Sequence, residues 1–158
     1  MKKTLILFLL LALLITSLSA CVISKNQVLA SLGDYRDREF YTEGAFQDYT
    51  DYAKYYYDSV DFTDNEYFAK IQPSDLDSLH EILDNFERCI ASYRENDETC
   101  EIVVNYDFDR SWIDFEDYVY IESETWDPWE DGNLVFSKYN VYFFDTQTNT
   151  LYYFHNNI

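Results

Sequence analysis

The sequence has few residues that break regular structure and little positive charge. Its 158 residues include three Gly and two Pro, which excludes collagen-like and low-complexity architectures. Lys and Arg number 11 against 30 Asp and Glu, so the formal net charge at pH 7 is -19. Phosphate backbones and anionic lipid headgroups are bound by clustered Lys and Arg. We therefore exclude nucleic acid as a partner and expect anionic lipid to repel the protein surface itself.

Aromatic residues, in contrast, are abundant. Hydrophobic residues make up 47% of the chain and aromatic residues 20%, with 16 Tyr and 12 Phe. The low hydrophobicity that usually causes disorder is therefore absent. The length suits one domain, and the composition can form a folded core.

The N-terminus has the pattern of an export signal. The first 20 residues contain Lys2 and Lys3, no acidic residue, and an apolar run from Leu5 to Ile15. That run is too short for a permanent membrane span, which needs about 20 residues. We expect residues 1–20 to be a signal peptide.

The residues after this run are Leu18-Ser19-Ala20-Cys21, a tetrapeptide that resembles the bacterial lipobox. The resemblance implies a diacylglyceryl thioether on Cys21, followed by cleavage ahead of it by signal peptidase II. We prefer this interpretation to an ordinary secretory signal with a chance cysteine or an uncleaved anchor. Lipid on Cys21, diacylglycerol with or without a further acyl chain such as palmitate, would hold the protein at the cell membrane, facing the extracytoplasmic side.

Periodicity divides the mature chain into a lipidated tether at 21–44 and a single α+β domain at 45–158. Spacings of three and four predict a helix over 45–60, and the capping-box pattern Thr63 to Glu66 predicts a short one over 64–71. The clearest apolar stripe predicts an amphipathic helix over 75–94 with Ser74 as its N-cap.

The C-terminal half shows the period of strands. Four strands are predicted, over Ile102–Phe108, Tyr118–Ile121, Leu134–Phe144 and Leu151–Phe154. Helices followed by strands predict an α+β fold, with the longest of two or three helices packed on a four-stranded antiparallel sheet.

The last two strands also carry a resemblance. Tyr139–Asp145 and Leu151–Ile158, together with Tyr106–Asp109 and Asp114–Tyr118, resemble a group of small uncharacterised lipoproteins of Gram-positive bacteria. The resemblance covers roughly the C-terminal third of the chain. It supports the predicted localisation and implies no activity.

Few residues in the sequence suggest catalysis or metal binding. Cys89 and Cys100 form either a disulfide, which would contribute roughly 2–3 kcal/mol, or two buried thiols. His80 and His155 are the two histidines. Asp107-x-Asp109-x-Ser111 begins like a calcium loop but lacks the glycine and final glutamate of an EF-hand. With no recognisable cofactor motif, we predict no metal site or cofactor and no catalytic residues.

Three tryptophans remain as candidates for a binding surface: Trp112, Trp126 and Trp129. Tryptophan and tyrosine are favoured interface anchors, and acidic surroundings steer a cationic partner. We expect a binding protein for a basic envelope or secreted protein. The alternatives are a glycan-binding module or a small carboxylate-dependent cell-wall hydrolase, and the same rings could instead complete the core.

Overall fold

The structure is a computed structural model that describes residues 27–45, 48–126 and 135–157, without side chains for 45, 125, 126 and 135–137. The predicted signal peptide and Cys21 lie outside these residues. The chain divides into two units after Gly33. The described part of the first unit contains α1 (Gln27–Ala30), and its backbone turns at Gly33, where φ is +83°.

The dominant helix of the second unit is α2 (Pro73–Asn96), which confirms the helix predicted over 75–94. Its cap differs from the prediction, because the N-cap is Gln72 and not Ser74. The Asp75 side chain accepts a hydrogen bond from the Gln72 backbone N–H at 2.8 Å, satisfying one of the free donors at the helix start. Pro73 suits the first turn because its missing N–H needs no partner there.

The second unit contains one antiparallel sheet of six strands in the order β1-β2-β6-β5-β4-β3. The strands are β1 (Asp37–Ala45), β2 (Asp48–Tyr56), β3 (Ala69–Lys70), β4 (Tyr118–Trp126), β5 (Val135–Asp145) and β6 (Thr150–Asn157). The α+β class is confirmed, and the last three predicted strands correspond to β4, β5 and β6. The predicted four-stranded sheet is wrong.

The helix predicted over 45–60 is wrong because this segment supplies the end of β1 and all of β2. β2 pairs with β1 on one side and β6 on the other. Both of its faces are covered, so Tyr52 and Ala53 are equally buried and no two-residue alternation marks the strand. β1 begins at Asp37, inside the range predicted as a tether.

Two other predicted elements differ. The strand predicted from Ile102 is instead α3 (Glu101–Asn105), followed by an irregular segment. Ile102 and Val103 are both buried whereas Val104 is 64% exposed, which fits a helical turn and not a strand. The short helix predicted over 64–71 is a turn leading into β3. The Asn65 side chain accepts hydrogen bonds from the N–H groups of Tyr67 and Phe68, which compete with helix formation.

The core lies between α2 and one face of the sheet. From the helix come Leu79, Leu83, Phe86 and Ile90, and from the sheet Tyr52, Tyr139, Val141, Phe143 and Phe154. Phe86 and Phe154 meet edge to face with ring centroids 5.3 Å apart. No helix within the described residues is long and apolar enough to cross a lipid bilayer.

Candidate binding site

Trp112 lies at the end of a single 3₁₀ turn, Arg110–Trp112, that leads from α3 toward β4. The Asp109 side chain caps this turn by accepting from Ser111 N–H at 2.8 Å. The Arg110 guanidinium binds Glu87 of α2 through two nitrogens, at 3.0 and 2.8 Å, and Asp84 at 2.7 Å. A bidentate arginine–carboxylate pair fixes orientation as well as distance, so the turn that carries Trp112 is held to α2.

The Trp112 ring forms one wall of a pocket of about 480 Å³. The ring lies 5.7 Å from Tyr152 and 5.7 Å from Phe108, and 39% of the residue stays exposed. Tyr152 belongs to β6 and is almost fully buried. We call this the Trp112 pocket; its lining residues are Ser111, Trp112, Asp114, Asp145, Gln147, Thr148 and Tyr152.

Two carboxylates give the Trp112 pocket its charge. Asp145 accepts hydrogen bonds from the N–H groups of Gln147 and Thr148, at 2.7 and 3.2 Å, and so shapes the turn between β5 and β6. Asp114 accepts from the Gln147 side-chain amide at 2.9 Å. No lysine or arginine is among the lining residues. An aromatic face beside two carboxylates suits an ammonium or guanidinium group, by cation–π and charge interactions together.

The side chains of the other two predicted tryptophans lie outside the described residues. Trp126 is the last residue of β4, and its side chain lies outside the description, as does the whole of Trp129. Of the three predicted surface tryptophans, the structure therefore places Trp112 alone in a pocket.

Cys89 and Cys100 are free thiols in the structure, and both are half-buried. Cys89 lies on α2, and Cys100 is the N-cap of α3. Burial raises the pKa of the Cys89 thiol, which disfavours the reactive thiolate. The disulfide between them stays a prediction that a thiol count can test.

A second polar cluster surrounds Lys54 on β2. The Lys54 ammonium contacts Glu39 at 2.8 Å and Asp107 at 2.9 Å. Tyr52 donates to Asp107 at 2.7 Å and Tyr56 donates to Glu39 at 2.7 Å. We call these five residues the Lys54 network. It joins β1, β2 and the segment after α3 through groups that are each hydrogen-bonded.

The electrostatics of the Lys54 network favour the charged forms of Glu39 and Lys54. The hydrogen bond from Lys54, and then that from Tyr56, lowers the pKa of Glu39. Burial opposes the charge on Lys54, but its bonds to Glu39 and Asp107 outweigh burial and raise the pKa of its ammonium. Burial, followed by the bond to Glu39, raises the pKa of Tyr56 to about 12. The cluster thus holds a lysine cation between carboxylates at neutral pH.

This arrangement differs from what carboxylate-dependent hydrolysis needs. Such hydrolysis pairs an ionised carboxylate with an accessible carboxyl whose pKa is raised. Glu39 has a lowered pKa. Burial raises the pKa of Asp117, but Asp117 is fully enclosed and accepts hydrogen bonds from Thr146 and from Asp114 N–H. Within residues 27–45, 48–126 and 135–157, no three His, Cys, Asp or Glu side chains lie close enough together to hold a metal ion.

Only part of these sites is predictable from the sequence. Trp112 is a candidate because of its residue type, whereas the sequence predictions include neither Asp145 nor Tyr152 as a site residue. That β6 would bring Tyr152 beside Trp112 depends on strand pairing across the sheet. Lys54 carried no signal at all, because it lies in the segment predicted as a helix.

Comparison of the chain with protein-family models, curated proteins and solved structures gave no significant match.

Proposed function

We propose that this chain is an extracytoplasmic lipoprotein, anchored through Cys21, that binds a basic envelope or secreted protein through the Trp112 pocket. The anchor is supported by the apolar run and by Leu18-Ser19-Ala20-Cys21. The binding role is supported by one observation above the others: an exposed tryptophan ring faces a cavity that contains two carboxylates and no lining cation.

The chemistry of the pocket selects the ligand group. A lysine or arginine side chain has an apolar stem that can lie along the Trp112 ring and a cationic head that can reach the half-buried Asp114. Asp145 is buried, so it adds negative charge behind the pocket wall and no direct contact. The overall charge of -19 attracts such a partner over a longer range and increases the rate of encounter. Contacts in the Trp112 pocket would therefore supply the binding affinity, and the negative charge of the whole surface would increase the association rate.

Binding can be tested by titrating the full chain, in neutral detergent micelles, with a lysine octapeptide. We expect Trp112→Ala to weaken binding at least tenfold, because it removes one wall of the pocket. Phe115→Ala is the matched control: Phe115 is an exposed aromatic residue on the same segment, at 53%, but it does not line the pocket. Equal affinities for Trp112→Ala and the unchanged chain would contradict the proposed site.

A glycan is the second candidate ligand, because Ser111, Gln147 and Thr148 place hydroxyl and amide groups beside the Trp112 ring. The dependence of binding on ionic strength distinguishes a basic protein partner from a glycan. Binding of a cationic partner weakens as salt rises, whereas binding of a neutral oligosaccharide does not. Salt-independent binding of a wall oligosaccharide, lost in Trp112→Ala, would replace the protein partner with a glycan.

The anchor has its own test. Cys21→Ser removes the sulfur that would carry the diacylglyceryl group. We expect the unchanged chain to incorporate labelled fatty acid and to sediment with membranes, and we expect Cys21→Ser to do neither. Cys89→Ser is the matched control, because it removes a different thiol. Labelling that persists in Cys21→Ser would contradict lipidation at this residue.

A further inference from the structure

The outer edge of β4 is covered over only part of its length. β3 is two residues long and pairs Ala69 with Val119 and Lys70 with Tyr118. β4 continues to Trp126, and beyond Val119 no strand of the described structure lies on that side. At about 3.3 Å per residue, the uncovered stretch from Ile121 to Trp126 is roughly 20 Å long.

The hydrogen-bond pattern identifies which backbone groups face this edge. Ile71 N–H donates to Asp117 C=O at 3.0 Å, just where β4 begins. In an antiparallel sheet, successive residues direct their backbone groups to opposite sides, so every second residue after Asp117 faces the β3 side. Ile121 and Ser123 therefore present N–H and C=O groups to an edge that no strand of the described structure fills.

A groove runs beside this edge. Its volume is about 560 Å³, and it lies between β4 and the first turns of α2. Ile121 and Ser123 line one wall, and Ser74, Asp75, Ser78 and Glu81 line the other. We call it the β4 groove. Its lining includes two carboxylates and no lysine or arginine.

From these observations we propose that the β4 groove is a docking site for an extended, basic segment of a partner protein, which adds to β4 as a strand. The inference rests on the proposed function, because it assumes the same class of basic partner and adds a second contact with it. Main-chain bonds to Ile121 and Ser123 would supply affinity, and alternate side chains would supply specificity.

The negative charge around the β4 groove selects a basic segment over a second copy of this chain. The side chains of an added strand alternate between the two faces of the sheet, so one set enters the groove toward Asp75 and Glu81. On the opposite face, Glu122 and Glu124 are both exposed. A second copy of this chain would bring the same glutamates against themselves, which is unfavourable. A segment with lysine or arginine at alternate positions meets carboxylates on both faces.

The other edge of the sheet differs. β1 is the strand at that edge, and it carries both signs of charge, with Asp37 and Glu39 beside Arg38. α3 packs against it. Mixed charge and a neighbouring helix are common ways of blocking edge pairing. The β4 edge has a groove beside it and charge of one sign, so a basic strand is expected there.

The test uses a ten-residue peptide of alternating lysine and valine, and the same peptide with glutamate in place of lysine, added to the full chain in neutral detergent micelles. We expect the lysine peptide to bind and the glutamate peptide not to bind. Amide hydrogen exchange read by NMR should slow at least tenfold at Ile121 and Ser123 when the lysine peptide is saturating. The amides of β1 should not change.

A matched pair of variants separates strand pairing from simple charge attraction. Ser123→Pro removes the outward N–H, whereas Ser123→Thr keeps it. We expect the first to weaken binding at least tenfold and the second to change it less than twofold. Proline at an outward position of an edge strand keeps the sheet's internal bonds. If Ser123→Pro does not fold, protection of Ile121 and Ser123 in the unchanged chain still decides the question.

The failing outcomes are distinct. If the lysine peptide binds without slowing exchange at Ile121 and Ser123, and Trp112→Ala abolishes its binding, the β4 groove is not the site and the proposed function stands. Binding of both peptides, or protection at β1, overturns the inference as well. If neither this peptide nor the lysine octapeptide binds, the inference and the proposed function both fall.

Discussion

Lys54 and Ser123 lie on the same face of the same sheet, but their polar groups have different surroundings. Those of Lys54 are paired within the chain, whereas the outward backbone groups of Ser123 meet no strand of the described structure. The Lys54 side chain is 10% exposed, and its ammonium has two carboxylates within 2.9 Å, each bonded in turn to a tyrosine. Ser123 is exposed and directs its backbone groups into the β4 groove, where no strand of the described structure meets them.

The difference separates polar groups that pair within the chain from those proposed to bind a partner. Where carboxylates surround a buried cation, the chain satisfies them internally, and the result fixes β1 and β2 to the segment after α3. In the Trp112 pocket and the β4 groove, lining carboxylates such as Asp145 and Asp75 accept hydrogen bonds from neutral N–H groups, and no lining residue is a lysine or arginine. Under the proposed function, a cationic ligand supplies the positive charge there. The acidic surplus is therefore informative only after its internal partners have been identified.

The largest expected effect comes from breaking the Lys54 network. Lys54→Met leaves Glu39 and Asp107 without the cation between them. We expect a loss of about 3 kcal/mol in the free energy of unfolding, because the variant removes two charge-assisted hydrogen bonds made by a largely buried ammonium. Glu39 and Asp107, at 37% and 55% exposed, stay partly hydrated and add little to this loss. Urea denaturation at pH 7 measures this loss.

Lys70→Met is the control for this loss. Lys70 pairs with Glu116 at 2.6 Å, but the two side chains are 45% and 78% exposed. Exposed ion pairs contribute about 1 kcal/mol or less. Equal losses in Lys54→Met and Lys70→Met would show that the Lys54 network is not the stabilising cluster described above.

A second pair of variants tests which side of β4 is open. Glu122 directs its N–H toward β5, by the same alternation that points Ser123 outward. We expect Glu122→Pro to cost about 2 kcal/mol more than Ser123→Pro, because only the first removes a bond of the β4–β5 ladder. Thermal unfolding followed by circular dichroism compares them. The reverse order would mean that the register given for β4 is wrong.

The smallest effect concerns pH. The pKa of Glu39 is lowered in the folded state, chiefly by its bond from Lys54, so ionised Glu39 stabilises the fold above the carboxyl's ordinary value of 4.5. That contribution disappears as pH falls through the lowered pKa. We expect Glu39→Gln to cost about 1 kcal/mol at pH 7, since more than a third of the side chain is exposed to screening solvent.

Below pH 4.5 the difference between Glu39→Gln and the unchanged chain should shrink progressively, as denaturation at a series of pH values would show. Glu81→Gln is the matched control in the β4 groove. With no hydrogen bond to another described residue, it should change stability by less than about 0.5 kcal/mol at pH 7. A Glu39 effect that is the same at pH 3 as at pH 7 would contradict the linkage.

Secondary structure could be predicted from the sequence where one face of an element is buried and the other is exposed to solvent. α2 has a single apolar stripe facing the sheet, and its spacing of three and four predicted it to within two residues at each end. It failed for β2, a strand covered on both sides and rich in tyrosine. There Tyr49, Ala53 and Tyr56 fall by chance at helical spacing, and the pairing with β6 overrides that pattern.

The candidate site was predictable in composition but not in geometry. Trp112 could be selected because of its type. The Lys54 network joins positions 39, 54 and 107, and the Trp112 pocket joins positions 112 and 152, so both depend on contacts between segments far apart in sequence. The β4 groove exists because β3 ends after two residues. No local sequence pattern predicts that short length.

The central claim is that some backbone N–H groups of β4 are bonded within the sheet and others are not. Residue-resolved amide hydrogen exchange of the full chain without ligand tests it most directly. The account predicts that Ile121 and Ser123 exchange about 100-fold faster than Tyr120 and Glu122, whose N–H groups face β5, and faster than Lys54 in the centre of the sheet. Equal protection along β4 would mean that its outer edge is already filled, and would contradict the account.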